Sequence, residues 1–241
     1  MPRSCWCPRP AAPACGPGSD ATSPRADRST TDPEEIELKL TVLDITAIQA
    51  LVLDPAAWLP GVAPLGPPRS LEIEDRYLDT SRGSLRSAGL VARIRTGPGA
   101  RRLTLKSLAR RGEGAVHRRL ELEGDAGHGD DPRTWPASEA RERFLDAAGA
   151  DPLETLAVIR QHRFQRDVAV GASVVELSLD EIEVAGATGG HDGWVELEAE
   201  LRSGSEKDLA ALGAELLRRA DLAPATTSKL RRALAAVDPL R

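Results

Sequence analysis

The stretch PEEIELKLTV, from Pro33 to Val42, decides how the rest of the chain is read. Successive side chains of a strand point to opposite faces, so Glu35, Glu37 and Lys39 share one face and Ile36, Leu38 and Leu40 the other. Two acids and a base in a row are ordinary decoration on a solvated sheet. The reading turns on whether other strands repeat the pattern, and with which charges.

They do repeat it. In VARIR, Arg93 and Arg95 share a face with Val91, and in RLTLKS, Thr104 and Lys106 stand opposite Leu103 and Leu105. Arg119, Glu121 and Glu123 alternate with Leu120 and Leu122. Glu176, Ser178 and Asp180 alternate with Val175, Leu177 and Leu179, and Glu196, Glu198 and Glu200 with Val195, Leu197, Ala199 and Leu201. Charge is also segregated along the chain: Arg82 to Arg119 holds eleven Arg or Lys and a single acid, Glu113, although the formal net charge is −5. Solvated faces mix Lys, Glu, Thr and Ser freely, whereas these strands are largely of one sign. An inverted barrel, ionic within and apolar without, gives helices an outer face to pack on and explains both features.

Eight strands are predicted, at Glu35–Val42, Leu71–Leu78, Leu90–Arg95, Arg102–Ser107, Val116–Glu123, Ile159–Val170, Val174–Val184 and Val195–Arg202, with turn signals such as Gly97-Pro98-Gly99 between them. Asp44, Ser138 and Ser205 are the expected N-caps of helices Ile45–Trp58, Glu139–Ala148 and Glu206–Ala220, and a last helix starts near Ser228. The fold class is α+β, mainly β: an eight-stranded antiparallel closed barrel with helices packed outside. Residues 1–32, rich in Pro, Ala, Ser and Arg and without hydrophobic period, read as a disordered extension, leaving one domain over residues 33–241.

Several function classes drop out. Cys5, Cys7 and Cys15 all precede the domain, and His117, His128, His162 and His191 fall at no ligand spacing, so neither a disulfide framework nor a zinc site is expected. No apolar run nears the ~20 residues that span a bilayer, and no h-region of a signal peptide follows Arg3 and Arg9. No membrane partner and a cytoplasmic location are the expectation. The basic run from Arg101 to Arg119 has no aromatic residue to stack on bases, which argues against nucleic acid. Trp58, Trp135 and Trp194 read as packing between barrel and helices. What remains is the ionic face itself. Arg and Lys rows give charge-assisted hydrogen bonds to phosphate oxygens, while Glu and Asp rows suit Mg²⁺ or Mn²⁺, which bind few carboxylates together with substrate phosphates.

The motif Glu35-x-Glu37-x-Lys39 resembles the ExExK signature of the CYTH superfamily, the triphosphate tunnel metalloenzymes. The resemblance continues in order through DRYLD (Asp75 to Asp79), ARIR (Ala92 to Arg95), LTLK (Leu103 to Lys106), LELE (Leu120 to Glu123), LDEIEV (Leu179 to Val184), GWVELE (Gly193 to Glu198) and SKL (Ser228 to Leu230). It covers residues 33–241, and among its relatives the chain looks most similar to bacterial inorganic triphosphatases.

The resemblance implies catalytic roles for Glu35, Glu37 and Lys39, with the two glutamates helping to hold Mg²⁺ or Mn²⁺ and the lysine near a phosphate. Arg93, Arg95, Lys106 and Lys229 would bind the triphosphate, Leu230 standing where the family has an aromatic residue. Glu121, Glu123, Asp180, Glu196 and Glu198 would be metal ligands or organisers of the metal's waters. The segment VIRQHRFQR should add one or two anion-binding arginines, expected to be Arg160 and Arg163 with the register open. Tyr77 and Asp79 face the lumen or serve the strand end. The implied activity is metal-dependent hydrolysis of inorganic triphosphate or an organic triphosphate, by a monomer or homodimer whose partner is the small-molecule substrate. A class IV adenylyl cyclase, a thiamine triphosphatase and a non-catalytic polyphosphate or nucleotide binder are the alternatives.

Overall fold

The computed structural model describes residues 34–109, 116–186 and 193–237. The expected N-terminal extension with its cysteines, the tip of the basic hairpin at 110–115, His191 and the side chain of Trp58 lie outside the described residues.

Among the described residues, ten strands run β1 (Glu34–Val42), β2 (Val62–Pro64), β3 (Arg69–Thr80), β4 (Leu90–Gly97), β5 (Ala100–Ser107), β6 (Val116–Asp125), β7 (Leu153–Val170), β8 (Ser173–Val184), β9 (Gly193–Ser203) and β10 (Leu222–Pro224). The long ones pair antiparallel in the order β1-β6-β5-β4-β3-β7-β8-β9, and β1 pairs with β9, so eight strands close into a barrel. Closure removes the free edges that an open sheet would present. The two three-residue strands β2 and β10 border β7 and β1. They were not expected, being too short to show a period.

Among the described residues, six α-helices accompany the strands: α1 (Ile45–Leu53), α2 (Pro55–Trp58), α3 (Ser84–Ser87), α4 (Glu139–Ala148), α5 (Glu206–Leu216) and α6 (Lys229–Val237). The three expected caps are in place, with Asp44 accepting from Thr46 and Ala47, Ser138 from Arg141 and Ser205 from Asp208. One predicted helix is corrected. Ile45–Trp58 is two pieces, because Pro55 has no N–H to continue α1 and instead opens α2 at its first position. Helix α5 also stops at Leu216, short of Ala220.

The barrel is inverted, as its alternation suggested. Leu38, Leu40, Leu177, Leu179 and Leu197 point outward and pack with Ile48 and Leu51 of α1 and Leu209, Leu212 and Leu216 of α5. Leu103, Leu105 and Leu122 meet Ala140 and Phe144 of α4, with Trp135 against Phe144 at 5.7 Å between ring centroids. Helix α6 packs differently. Its Ala233, with Leu230 and Leu234, joins Tyr77, Ile159, Ile182 and Trp194. Those strand positions alternate in step with Gln161, Asp180 and Glu196, which puts them on the inner face. An amphipathic helix therefore closes one end of the tunnel, where the lumen lining turns apolar.

Candidate active site

The inner faces of β1, β3, β4, β5, β6, β7 and β9 line a cavity of about 570 Å³, and β8 backs it. Glu35 and Lys39, Glu121, Lys106, Arg93 and Arg95, Tyr77, Arg163, Glu198 and Glu200 line it, and Lys229 enters from the start of α6. Register explains the convergence. Glu35 lies opposite Arg119, Lys106 opposite Glu121, Arg93 opposite Thr104, Asp75 opposite Arg95, Arg163 opposite Asp180, and Lys39 opposite Glu198.

One half of the wall is organised by two aspartates that no water reaches. Asp75, fully buried, accepts from Arg95 through Nε at 2.7 Å and Nη2 at 2.8 Å, from Arg93 at 3.3 Å and from Gln161 at 2.7 Å. Burial alone would raise its pKa, but Arg93 and Arg95 outweigh it and hold the carboxyl well below the usual carboxylate range. Asp180, also fully buried, accepts two bonds of 2.6 Å from Arg163 and a short one from Lys229. It too is depressed, burial being outweighed by Arg163 and Lys229. Gln161 joins the two systems, donating to Asp75 while its Oε1 accepts from Lys229 at 2.9 Å. Four cations that line the cavity, Arg93, Arg95, Arg163 and Lys229, are thus fixed from behind.

The other half presents glutamates to the cavity. Lys106 lies 2.8 Å from both oxygens of Glu35 and 2.7 Å from Glu121. Arg119 spans Glu35 and Glu37 at 2.9 Å each, and Lys39 spans Glu37 at 3.0 Å and Glu198 at 2.5 Å. Glu35 and Glu121 both meet the Lys106 ammonium, and they split in acidity. Burial raises both, but Lys106 and Arg119 pull Glu35 far down, whereas Glu121 is pushed up to about 7 by burial with Glu35 beside it. Glu200 also sits at about 7, raised by burial and incompletely offset by Arg202.

The sequence-predicted residues separate into three groups. Glu35, Lys39, Arg93, Arg95, Lys106, Glu121, Arg163, Glu198 and Lys229 line the cavity, and Glu123 lies at its edge with a 42% exposed side chain paired to Arg102. Glu37, Asp180 and Glu196 sit behind the lining, a placement that suits organisers. Glu196 is 1% exposed, accepts from Trp194 Nε1 at 2.7 Å, and keeps Oε2 buried without a partner. Arg160 is corrected. It points outward on β7, pairs with Glu74 at 3.2 Å and has a 67% exposed side chain. Strand alternation gives the lumen Gln161 and Arg163, so residues three apart cannot both face it. Tyr77 is on the inner face; Asp79 serves the strand end, where its carboxylate accepts from the backbone N–H of Thr80, Leu85 and Arg86 across the turn at Gly83.

Asp75, Arg119, Gln161 and Glu200 belong to the site without having been chosen from the sequence. Asp75 and Gln161 sit in LEIEDRYLD and VIRQHRFQR, where charges fall on both faces and blur the alternation. Arg119 and Glu200 had the alternation signal, on the same faces as Glu121 and Glu198.

Among the described residues, no group of three or more His, Cys, Asp or Glu is arranged to hold a metal by itself. The lining carboxylates nonetheless fit a hard divalent cation. Mg²⁺ or Mn²⁺ takes one or two carboxylates plus waters and phosphate oxygens, and the abutting Glu35–Glu121 pair, with one carboxyl raised to about 7, is crowded negative charge that such an ion relieves. No helix among the described residues is long and apolar enough to cross a membrane.

Comparison with known proteins places this architecture. The CYTH domain profile matches residues 34–234. Among solved structures, an adenylyl cyclase candidate from Hippeastrum, described as having a dominant triphosphatase activity, is 21% identical with a TM-score of 0.60, over 83% of this chain and 94% of that one. A second adenylate cyclase candidate, from Bacillus halodurans, is 17% identical with a TM-score of 0.53, over 83% of this chain and 97% of that one. At these identities the likeness is one of fold. No curated protein matches.

Proposed function

Because the chain belongs to the CYTH family, we propose that it is a Mg²⁺- or Mn²⁺-dependent hydrolase of inorganic triphosphate or an organic triphosphate. The observation that carries this reading is the convergence of fixed cations and crowded carboxylates on one cavity, which suits an anion that arrives with a divalent metal. Water adds to the terminal phosphorus, the bond to the bridging oxygen breaks with its electron pair leaving on the diphosphate, and orthophosphate is released. Such a transfer needs positioning and charge neutralisation more than covalent help.

In this proposal Arg93, Arg95, Lys106, Arg163 and Lys229 bind the phosphate oxygens. Asp75 and Asp180 fix the donors' directions, so little reorganisation is needed when the anion enters. Glu35 and Glu121, with Glu198, would hold the divalent cation, which when bound supplies Lewis-acid neutralisation of the phosphate oxygens. Lys39, Glu37 and Arg119 keep the glutamates in place through the shared ion pairs described above.

The test is phosphate release from tripolyphosphate, ATP and thiamine triphosphate, each with Mg²⁺, Mn²⁺ or chelator, beside a Glu35→Gln/Glu37→Gln double variant. Metal-dependent release that the variant loses supports the proposal. Cyclic AMP and diphosphate from ATP would replace it with a cyclase, and tight tripolyphosphate binding without release would leave a binding protein.

A further inference from the structure

Among the lumen cations near Glu35 and Glu121, Lys106 stands apart in what it bridges. Its ammonium lies 2.8 Å from each oxygen of Glu35 and 2.7 Å from Oε2 of Glu121, with only 13% of its side chain exposed. Arg93 approaches Glu121 no closer than 4.0 Å and is held by Asp75. Arg119 reaches Glu35, but its second bond goes to Glu37. One ammonium therefore sits between the two abutting glutamates that best fit a divalent cation.

An ammonium and a divalent metal compete for those oxygens. Mg²⁺ must approach a carboxylate oxygen to about 2.1 Å, inside the shell the ammonium occupies, and the two positive charges repel. Lysine has a flexible four-carbon stem with a point charge at its end, so it can leave a carboxylate for an anion in the same cavity. Arg119, fixed by two nitrogens on two different glutamates, is poorly placed to do so.

We infer that Lys106 makes the tunnel selective for metal and triphosphate together over either alone: it competes with the divalent cation for Glu35 and Glu121, and turns to the phosphates as that cation enters. The inference rests on the triphosphatase reading and adds to it a linkage between the two ligands. Such linkage is reciprocal, so each ligand raises the affinity for the other by the same factor.

Mn²⁺ binding to the full chain at fixed pH, read from the electron paramagnetic resonance of the free aquo ion, tests this without turnover. Lys106→Met should bind Mn²⁺ alone about 10-fold more tightly than wild type, and Lys106→Arg, which keeps the charge, should stay near wild type. Removing the cation should also lower affinity for an imido-bridged triphosphate by about 10-fold or more in Mn²⁺ but much less in chelator. Arg95→Gln is the control, since it removes the same unit of charge from the same lumen at a guanidinium held by Asp75. Unchanged or weaker Mn²⁺ binding in Lys106→Met, or an equal gain in Arg95→Gln, would overturn the inference. Thermal melting monitors folding, and Lys106→Gln replaces the Met variant if that one does not fold. Wild type that hydrolyses no triphosphate would sink the underlying reading; wild type that does so with Mn²⁺, without the gain in Lys106→Met, would sink the inference alone.

Discussion

Asp75 and Glu35 are both acids on inner strand faces, yet the tunnel uses them in opposite ways. Asp75 and its counterpart Asp180 are fully buried, with both oxygens engaged by arginine or lysine. Glu35, Glu121, Glu198 and Glu200 reach the cavity, and every carboxylate that lines it is a glutamate. Side-chain length is one part of the difference and strand position the other, since Glu37 and Glu196 stay behind the lining despite their extra methylene. An aspartate on a strand holds its oxygens near the wall, where they can brace a neighbouring strand's cation, whereas a glutamate carries them inward. The braced half is a rigid donor array. The glutamate half holds charge that is less evenly balanced, with Glu35 depressed by its cations and Glu121 and Glu200 at about 7.

The hardest blow to that contrast is removal of a brace. Asp180→Ala leaves Arg163 and Lys229 without their buried partner and should cost about 3–5 kcal/mol in urea unfolding. A loss under about 1 kcal/mol would mean that the aspartate half is no more fixed than the other. Removing a glutamate should act on chemistry instead. Glu35→Gln is expected to stay folded and lose on the order of 100-fold in tripolyphosphate turnover; measuring kcat/KM beside a thermal melt separates the two effects.

Acidity gives a finer test. Glu121 and Glu200 have pKa values raised from 4.5 to about 7 in the folded protein. Between those values the folded state binds protons that the unfolded chain has released, so the contribution of these two groups to stability is full below 4.5 and is lost as pH rises through 7. Asp75 and Glu35, depressed by their cations, are already ionised there and add no slope. The melting temperature of protein in chelator should therefore drop by roughly 5 °C from about pH 5 to about pH 8, and Glu121→Gln should flatten that drop. The smallest expected effect lies outside the tunnel. Arg160→Ala should change stability by no more than about 0.5 kcal/mol and leave turnover unchanged, since its pair with Glu74 is exposed.

Much of this was legible in the chain. The alternation of Glu35-x-Glu37-x-Lys39 recurs in β4, β5, β6, β8 and β9, where one face is apolar and the other ionic, and there strand, face and lumen position could be read directly. Strands β3 and β7 resisted, because Glu72, Glu74 and Asp75, or Arg160, Arg163 and Arg166, put charge on both faces. The misplacement of Arg160 and the omission of Asp75 and Gln161 both come from those two strands. Helix α6 could be anticipated near Ser228, but its covering of the tunnel's end could not, because the apolar inner residues it meets come from four strands, β3, β7, β8 and β9, and look like ordinary core positions.

By itself, then, the sequence determined which residues face the lumen wherever charge keeps to one side of a strand, because a period of two is a local property of an extended chain. Which lumen carboxylate braces a cation and which meets the cavity was decided by the tertiary structure. That depends on register across closed strands and on the depth to which each side chain reaches, and both are set by contacts between residues far apart in the chain. The 71 positions between Glu35 and Lys106, or the 86 between Asp75 and Gln161, carry no local signal that these side chains will touch.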